Sequence, residues 1–559
     1  MSSLEELGEV ISTDLLIVGG GLAGLAAAIK AKENPVDVLV VDKETIGWSG
    51  KAPKTGGIAW LVAPEDDLDK SVEEQIKRTY GDYLNDQELL YAYSRESYAA
   101  VEQFAEWGVK FTKTAEGKLD TYKPYPFPRT CSYADFEVDM LFPLRAKARK
   151  MGTKMLNKIE LLDLLKQDDR VVGAVGFNVI NGRFYILKAK ATILANGSCD
   201  FMATRDGPAA GGEGIAAAYW AGAEMRNAEF GNLYVVHVKA SDSYVRGAPI
   251  NYIFNAQGEN ISKKYIPDEL EDNIALVLGM DKEIREGRGP IYVDFTQMKP
   301  FEGQERCVKP LLAHVALEQS KAIKMGLLAP SPKQEVTAGL GAILSPVKVD
   351  HEMKTTVDGL WGIGDVSWSG SAWGGAAAPT WIPGTGVMTA ILSALRGGPS
   401  ASSFASKAAP PEVSYDEVKR LKENAFAPMR RSNGLSPADA IYAVQEAVCP
   451  VKYNLRRSKD RLEEALSMVA KVQERLPELW AKDGHGLAKC HVAKAMALCA
   501  EMNFRAALMR TESRGWHFRE DYPKRDDKNW LKWIILKQEA GKMVLSTEPV
   551  PIDKYRFKP

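Results

Sequence analysis

Thr13-Asp14-Leu15-Leu16-Ile17-Val18-Gly19-Gly20-Gly21-Leu22-Ala23-Gly24 is the stretch from which the rest of the chain is read. The apolar run from Leu15 to Val18 reads as a strand buried on both faces, as in a parallel sheet. It ends at Gly19-x-Gly21-x-x-Gly24 and passes straight into the helical stretch Leu25-Ala26-Ala27-Ala28-Ile29-Lys30. A second strand, Val36-Asp37-Val38-Leu39-Val40-Val41, follows and stops at Asp42. Strand, glycine turn, helix, strand and acid in that order form the dinucleotide-binding fingerprint. Gly19 allows the tight turn, Gly21 lets the backbone approach a pyrophosphate, and Gly24 lets helix and strand pack closely. The helix N-terminus, with Leu22 and Ala23, offers unpaired N–H groups to the anion. Asp42, followed by Lys43, is placed to accept hydrogen bonds from a ribose diol; a surface acid at a strand end is the plainer alternative.

Composition narrows the class. With 559 residues, 45% hydrophobic and 26% charged, the chain is a large globular protein of two or three domains. A net charge of −1 gives no general attraction to nucleic acid or anionic lipid. No apolar run reaches the ~20 residues of a spanning helix. The start, Met1-Ser2-Ser3-Leu4-Glu5-Glu6, has no signal-peptide character, so a cytoplasmic location is expected. Six cysteines (Cys131, Cys199, Cys307, Cys449, Cys490, Cys499) are scattered without a CxxC pair. Their spacing supplies neither an iron–sulfur nor a zinc site, and buried free thiols are expected.

Further along, Gly47-Trp48-Ser49-Gly50-Lys51-Ala52-Pro53-Lys54-Thr55-Gly56-Gly57-Ile58 reads as a glycine-rich loop, and residues 72–107 as helical. Residues 156–190 read as strands with a turn at Asn181-Gly182. The buried strand Ala191-Thr192-Ile193-Leu194-Ala195 ends at Asn196-Gly197. Residues 233–336 change character and look like an insertion. The strand Gly359-Leu360-Trp361-Gly362-Ile363-Gly364-Asp365 then returns to the first fold, and Gly384-Thr385-Gly386 opens a helix running through Val387. Residues 397–403, rich in Gly, Pro and Ser, read as a linker. Beyond them come a helical domain and a basic, aromatic tail. The expected division is 1–232 and 337–400 for a nucleotide-binding domain, 233–336 for a cap, 410–525 for the helical domain and 526–559 for the tail.

These pieces resemble the succinate dehydrogenase/fumarate reductase flavoprotein family, and in plan its adenylylsulfate reductase alpha-subunit branch. The most specific motif is Arg510-Thr511-Glu512-Ser513-Arg514-Gly515-Trp516-His517-Phe518-Arg519-Glu520-Asp521-Tyr522-Pro523, continuing Arg525-Asp526-Asp527-Lys528-Asn529-Trp530. It is similar to the family's RxESRGxHxREDxP–RDDxNW signature. Gly212-Glu213-Gly214 through Ala221-Gly222-Ala223-Glu224 to Glu229-Phe230 matches another family stretch, and Leu194-Ala195-Asn196-Gly197 stands at its ATG-type strand end. The resemblance implies an α/β, Rossmann-like FAD-binding domain with an inserted α+β capping domain and a C-terminal helical domain. FAD is then the implied dinucleotide: Gly19, Gly21 and Gly24 at the pyrophosphate, Asp42 at the adenosine ribose, Ser49, Gly56 and Gly57 beside the isoalloxazine, Asp365 at the ribityl chain. The helix end at Gly384-Thr385 would face the flavin pyrimidine and favour its anionic reduced form.

The departures from the family carry as much. Gly50 replaces the histidine that tethers flavin in respiratory members, which implies non-covalent FAD. Arg246 lies in a segment similar to the family's cap motif, where arginine pairs with an anionic substrate or relays a proton; an exposed loop arginine is the alternative. Where the family carries HxxMGG this chain reads Gln334-Glu335-Val336-Thr337-Ala338-Gly339-Leu340-Gly341. Where it carries NRLGGN the chain reads Ser371-Ala372-Trp373-Gly374-Gly375-Ala376-Ala377. A dicarboxylate would lose two grips, which argues against succinate or fumarate. Trp368 and Trp373 read as loop tryptophans near a substrate, and His237 as a candidate acid/base. His517, inside the signature, reads as structural or flavin-side.

The expectation is a flavoenzyme subunit that exchanges a hydride with a small, anionic or aromatic substrate and passes electrons to a separate ferredoxin-like iron–sulfur protein. A stand-alone dehydrogenase or oxidase, or an electron-transfer subunit with a decayed substrate site, are the alternatives.

Overall fold

The structure is a computed structural model that describes residues 3–54, 57–79, 83–123, 130–137, 139–203, 210–239, 243–245, 251–266, 273–297, 333–341, 344–368 and 384–559. Strand β1 (Glu9–Val18) leads through the glycine turn into helix α1 (Leu22–Ala31), and β2 (Val38–Asp42) returns beside β1. The two strands are parallel with Leu15 opposite Val38, and the strand Phe184–Leu194 flanks β1 on its other side with Leu15 opposite Ala191. Leu15, Leu16 and Ile17 are all fully buried, so side chains on both faces of β1 are covered, and this is why the run is apolar without alternation. Lys154–Asn157 pairs outside β2, while Leu360–Gly362 joins Phe184–Leu194 in parallel, Trp361 opposite Ile193. The antiparallel strands Arg170–Asn178 and Ile159–Gln167 complete a seven-stranded sheet.

Parallelism puts the C-terminal ends of β1, β2, Phe184–Leu194 and Leu360–Gly362 on one edge. The segments leaving that edge are the glycine turn, the loop from Lys43, the loop from Ala195 and the turn Gly364–Val366. Open α/β sheets bind their ligands at this edge.

The helix Thr385–Lys407 runs unbroken through residues 397–403, so the expected linker is helix. The reason is packing. A β-carbon on Gly398 would lie 2.8 Å from the Ala27 carbonyl oxygen, and one on Gly397 would lie 2.6 Å from Ile363. The glycines that read as chain flexibility are the residues that let this helix press against α1 and the central sheet.

A second sheet of five strands is built from Ser243–Val245, Tyr234–Val238, Lys333–Leu340, Ile291–Asp294 and Ile253–Phe254 in spatial order. It has its own apolar core, including Val236, Ile253, Leu276, Met280, Val293 and Val336. Its strand Lys333–Leu340 runs across the boundary expected at residue 336. The helices Tyr415–Ala425, Pro437–Val448, Lys459–Arg475 and Gly484–Met509 form the helical region. Residues 526–559, the basic and aromatic tail, carry two strands. Lys532–Glu539 and Lys542–Pro549 form a hairpin whose turn residues Ala540 and Gly541 both have positive φ, 47° and 76°, as a tight type I′ turn requires. Met225–Arg226 pairs with this hairpin, Met225 opposite Leu536, so the chain end closes a sheet begun three hundred residues upstream.

Among the described residues no helix is long and apolar enough to cross a membrane. Cys199, Cys490 and Cys499 are buried free thiols, Cys449 is a half-buried one and Cys131 is buried, while Cys307 lies outside the described residues.

Candidate functional site

The glycine turn is held by contacts that exclude side chains. Gly19 has φ +115°, its N–H donates to the Val41 carbonyl at 2.8 Å, and a β-carbon on it would stand 2.3 Å from the Ala195 oxygen. A β-carbon on Gly24 would meet the Gly19 oxygen at 1.8 Å. Gly21 differs: its nearest neighbour would be the Ser49 oxygen at 3.7 Å, which leaves room over the first turn of α1, where Leu22 and Ala23 begin the helix. Tight packing below and open space above the helix N-terminus is the arrangement that admits a pyrophosphate.

Asp42 is buried at the end of β2. Its Oδ2 accepts from the Gly20 N–H at 2.6 Å and from the Ser49 hydroxyl at 2.7 Å, and its Oδ1 accepts from the Glu44 N–H at 2.7 Å. A carboxylate has about four acceptor positions, so one on Oδ1 remains for a ribose hydroxyl. Ser49 sits at the glycine turn, with its hydroxyl donating to Asp42. The short Asp42 side chain draws the loop inward, which fixes this position. The Lys43 ammonium pairs with Glu213 at 2.5 Å, so its charge is committed to the first turn of helix Glu213–Trp220. Gly50 has φ +80° and a β-carbon on it would lie 3.9 Å from the Gly21 Cα, and Gly57 has φ +70°. Gly56 lies outside the described residues.

Across from this loop, Ala195 donates its N–H to the Val18 carbonyl at 2.7 Å, and Gly197, at φ +80°, has nothing within 4 Å of where a β-carbon would stand. Among the described residues the buried Oδ1 atoms of Asn196 and Asp365 have no hydrogen-bond partner. Buried acceptors are almost always satisfied, so two of them on segments that leave the same strand-end edge call for a ligand with donors. The Gly364 N–H donates to Ser393 Oγ at 2.8 Å, which fixes the turn carrying Asp365. Gly384, at φ +84°, caps helix Thr385–Lys407, and a β-carbon there would lie 2.6 Å from the Trp60 nitrogen. That contact brings the helix N-terminus, with buried Thr385 and Val387, against the strand that follows Gly57. The glycine turn, the room over the first turn of α1 and the two buried acceptors together fit a bound FAD.

Sequence reasoning did not single out Lys51. Its ammonium donates to Ser198 Oγ at 2.8 Å and to the Asp200 carboxylate at 3.1 Å, and lies 3.5 Å from Asp365 Oδ2. The signal was its place one residue after Gly50, read only as part of a loop.

His237 lies on Tyr234–Val238 of the second sheet, opposite Thr337, and is buried. A β-carbon on Gly339 would stand 2.6 Å from the imidazole Cδ2, so that glycine is the floor on which the ring rests. Arg246 and Trp373 lie outside the described residues. Trp368 is corrected: it is 2% exposed, on a short strand, packed edge-on to Trp533 at 5.7 Å with Arg226 against both rings. Trp533 belongs to the C-terminal hairpin, so the partner that buries Trp368 is far away in sequence.

The 510–530 signature builds a buried ionic knot. Arg510 pairs with Glu229 at 2.7 Å and Glu512 at 2.9 Å, and Arg514 pairs with Glu512 at 2.7 Å and Asp527 at 2.9 Å. Arg457 donates to the Glu229 carbonyl and to His517 Nδ1, while His517 Nε2 faces the Arg510 carbonyl at 3.0 Å. Burial, with Arg457 and Arg510 beside it, holds His517 neutral, its value well below the ordinary one. Nδ1 accepts and Nε2–H donates. Glu229 lies just before the second sheet, so the knot ties the entrance of that sheet to the helical region.

Known proteins share both halves of this architecture. The FAD binding domain family matches residues 14–378, and the family of the fumarate reductase flavoprotein C-terminal region matches 447–559. One chain of the CoM/CoB fumarate reductase of Methanothermobacter marburgensis is 26% identical over 95% of this chain and 98% of its own length. The 8-methylmenaquinol:fumarate reductase flavoprotein subunit of Wolinella succinogenes is 25% identical over 98% of this chain and 92% of its own. In structure, a quinol fumarate reductase chain of E. coli superposes with a TM-score of 0.84 at 19% identity, covering 98% of each chain. Adenylylsulfate reductase of Archaeoglobus fulgidus superposes with a TM-score of 0.78 at 22% identity, covering 97% of this chain and 96% of that one.

Proposed function

The chain belongs to the fumarate reductase/succinate dehydrogenase flavoprotein family and is an FAD-dependent oxidoreductase, and on that premise we propose that it is the flavoprotein subunit of a two-component enzyme. It exchanges a hydride with a small anionic or aromatic substrate and hands electrons to a ferredoxin-like iron–sulfur partner. Bound FAD supplies two-electron acceptance on the substrate side and one-electron release on the partner side.

The observation that carries this reading is the unpartnered, buried Asp365 Oδ1, set between the glycine turn and the helix that starts at Thr385. Asp365 and Asn196 orient the cofactor, Gly19, Gly21 and Gly24 admit its pyrophosphate, and Asp42 takes the ribose. The N-terminus of the helix Thr385–Lys407 lends partial positive charge to that end of the site. His237, buried in the second sheet over Gly339, serves as proton donor or acceptor, and Arg246 binds the anionic group of the substrate. Residues 233–336 act as the cap, supported by the separate core of their sheet. The FAD is non-covalent, because Gly50 offers no side chain to bond it.

The separate iron–sulfur partner is supported by cysteines too scattered in sequence to bind a cluster by local spacing. Succinate and fumarate are disfavoured by the residues standing at 334–341 and 371–377. The test is stopped-flow flavin bleaching with enoate, aromatic and sulfur-containing anions, followed by reoxidation with a co-expressed iron–sulfur protein. Bleaching by one class and reoxidation by the partner support the proposal; a flavin inert to every class contradicts it.

A further inference from the structure

Lys51 joins three segments that are far apart in sequence. It stands on the loop after β2, Ser198 and Asp200 stand on the loop after Phe184–Leu194, and Asp365 stands on the turn after Leu360–Gly362. All three leave the sheet at the edge where the cofactor cradle lies. The ammonium sits between two carboxylates: 3.1 Å from Asp200 and 3.5 Å from Asp365. Ser198 Oγ, which accepts from Lys51, also donates to Asp200 Oδ1 at 2.6 Å and closes the group.

The electrostatics make the lysine necessary. Asp200 is 4% exposed, burial pushes its carboxyl upward, Asp365 pushes it the same way, and Lys51 opposes both. Without the ammonium, two neighbouring carboxylates would repel in a half-dry site. With it, Asp365 turns Oδ2 toward Lys51 and leaves Oδ1 without a partner among the described residues.

We infer that Lys51 is an ionic clasp that draws the three cofactor-enclosing segments together and retains FAD in the absence of a covalent bond at Gly50. This rests on the FAD reading of the site. Lys51 is a positioning residue: it acts on the flavin through Asp365 and Asp200. FAD release requires the segments to part, so the clasp governs the release rate. Charge-assisted hydrogen bonds of this kind correspond to about a tenfold to hundredfold change in an equilibrium or rate. A partly exposed ion pair is also weakened by salt.

The experiment measures FAD release from the holoprotein after dilution, at about 0.05 M and about 1 M KCl, where screening differs strongly. It uses wild type, Lys51→Met and Lys51→Arg, with the melting temperature of each apoprotein measured alongside. Release from Lys51→Met is expected to be at least about tenfold faster, with its salt response lost, a lowered apoprotein melting temperature because the two carboxylates then repel, and near-wild-type release and melting restored in Lys51→Arg. Release from Lys51→Met at the wild-type rate with the wild-type salt response overturns the clasp and leaves the FAD reading intact. If Lys51→Met does not fold, a salt-independent wild-type release rate overturns the clasp. A wild-type protein that binds no FAD overturns both.

Discussion

Gly24 and the carbonyl of Gly19 are so close that a β-carbon at position 24 would stand 1.8 Å from the oxygen. The contact closes the turn between β1 and α1, and it involves backbone that has no softer way to yield. Gly24→Ala is expected to cost about 1–3 kcal/mol as the helix is pushed off the strand. FAD content should fall with it, because the N–H groups of the first helical turn move away from the pyrophosphate. Urea unfolding and the flavin-to-protein absorbance ratio measure the two effects; a stable Gly24→Ala protein with full flavin would contradict this account of the turn.

A second prediction concerns helix Thr385–Lys407. Because Gly398 faces the Ala27 carbonyl, Gly398→Ala should destabilise the fold by about 1–3 kcal/mol, again measured by urea unfolding. In the native protein the peptide after Arg396, inside the helix and beside the former linker, should resist limited trypsin digestion. Early cleavage there would restore the linker.

Asp365 offers a direct probe of the cradle. Asp365→Leu removes the unpartnered acceptor and should weaken FAD binding by roughly tenfold to a hundredfold, the range for a hydrogen bond to a charged group. Fluorescence titration of the deflavinated protein measures it. Unchanged affinity would mean that Oδ1 does not contact the cofactor.

His491 gives a pH signature. Burial pushes its value down to about 3 in the folded protein, from an ordinary value of 6.5. The unfolded chain then binds a proton that the native state refuses, so this contribution to stability is complete above pH 6.5 and is lost as pH falls toward 3. The slope is at most about 1.4 kcal/mol per pH unit. His491→Gln, which keeps a donor for the Ala425 carbonyl, should flatten the stability profile between about pH 6 and 5 relative to wild type. Parallel profiles would contradict the neutral, half-buried histidine.

The parts legible in the sequence were those whose cause is local. The turn from Gly19 to Gly24 is specified by residues within six positions of one another, and β1 by an unbroken apolar run. Residues 397–403 were misread because glycine and proline signal flexibility in isolation, whereas Gly397 and Gly398 are demanded by Ile363, Met353 and Ala27 across the core. Trp368 reads as a loop residue because Trp533, which buries it, lies far downstream in the C-terminal tail. Lys51 was passed over for the same reason: Ser198, Asp200 and Asp365 meet only when three strand ends converge.

The measurement that bears most directly on the account is acid precipitation of the purified holoprotein, followed by flavin assay of pellet and supernatant. A cradle built from Gly19, Gly24, Asp42 and Asp365, with Gly50 unable to form a bond, predicts intact FAD in the supernatant and a colourless pellet. Flavin that stays with the precipitated polypeptide would contradict the account.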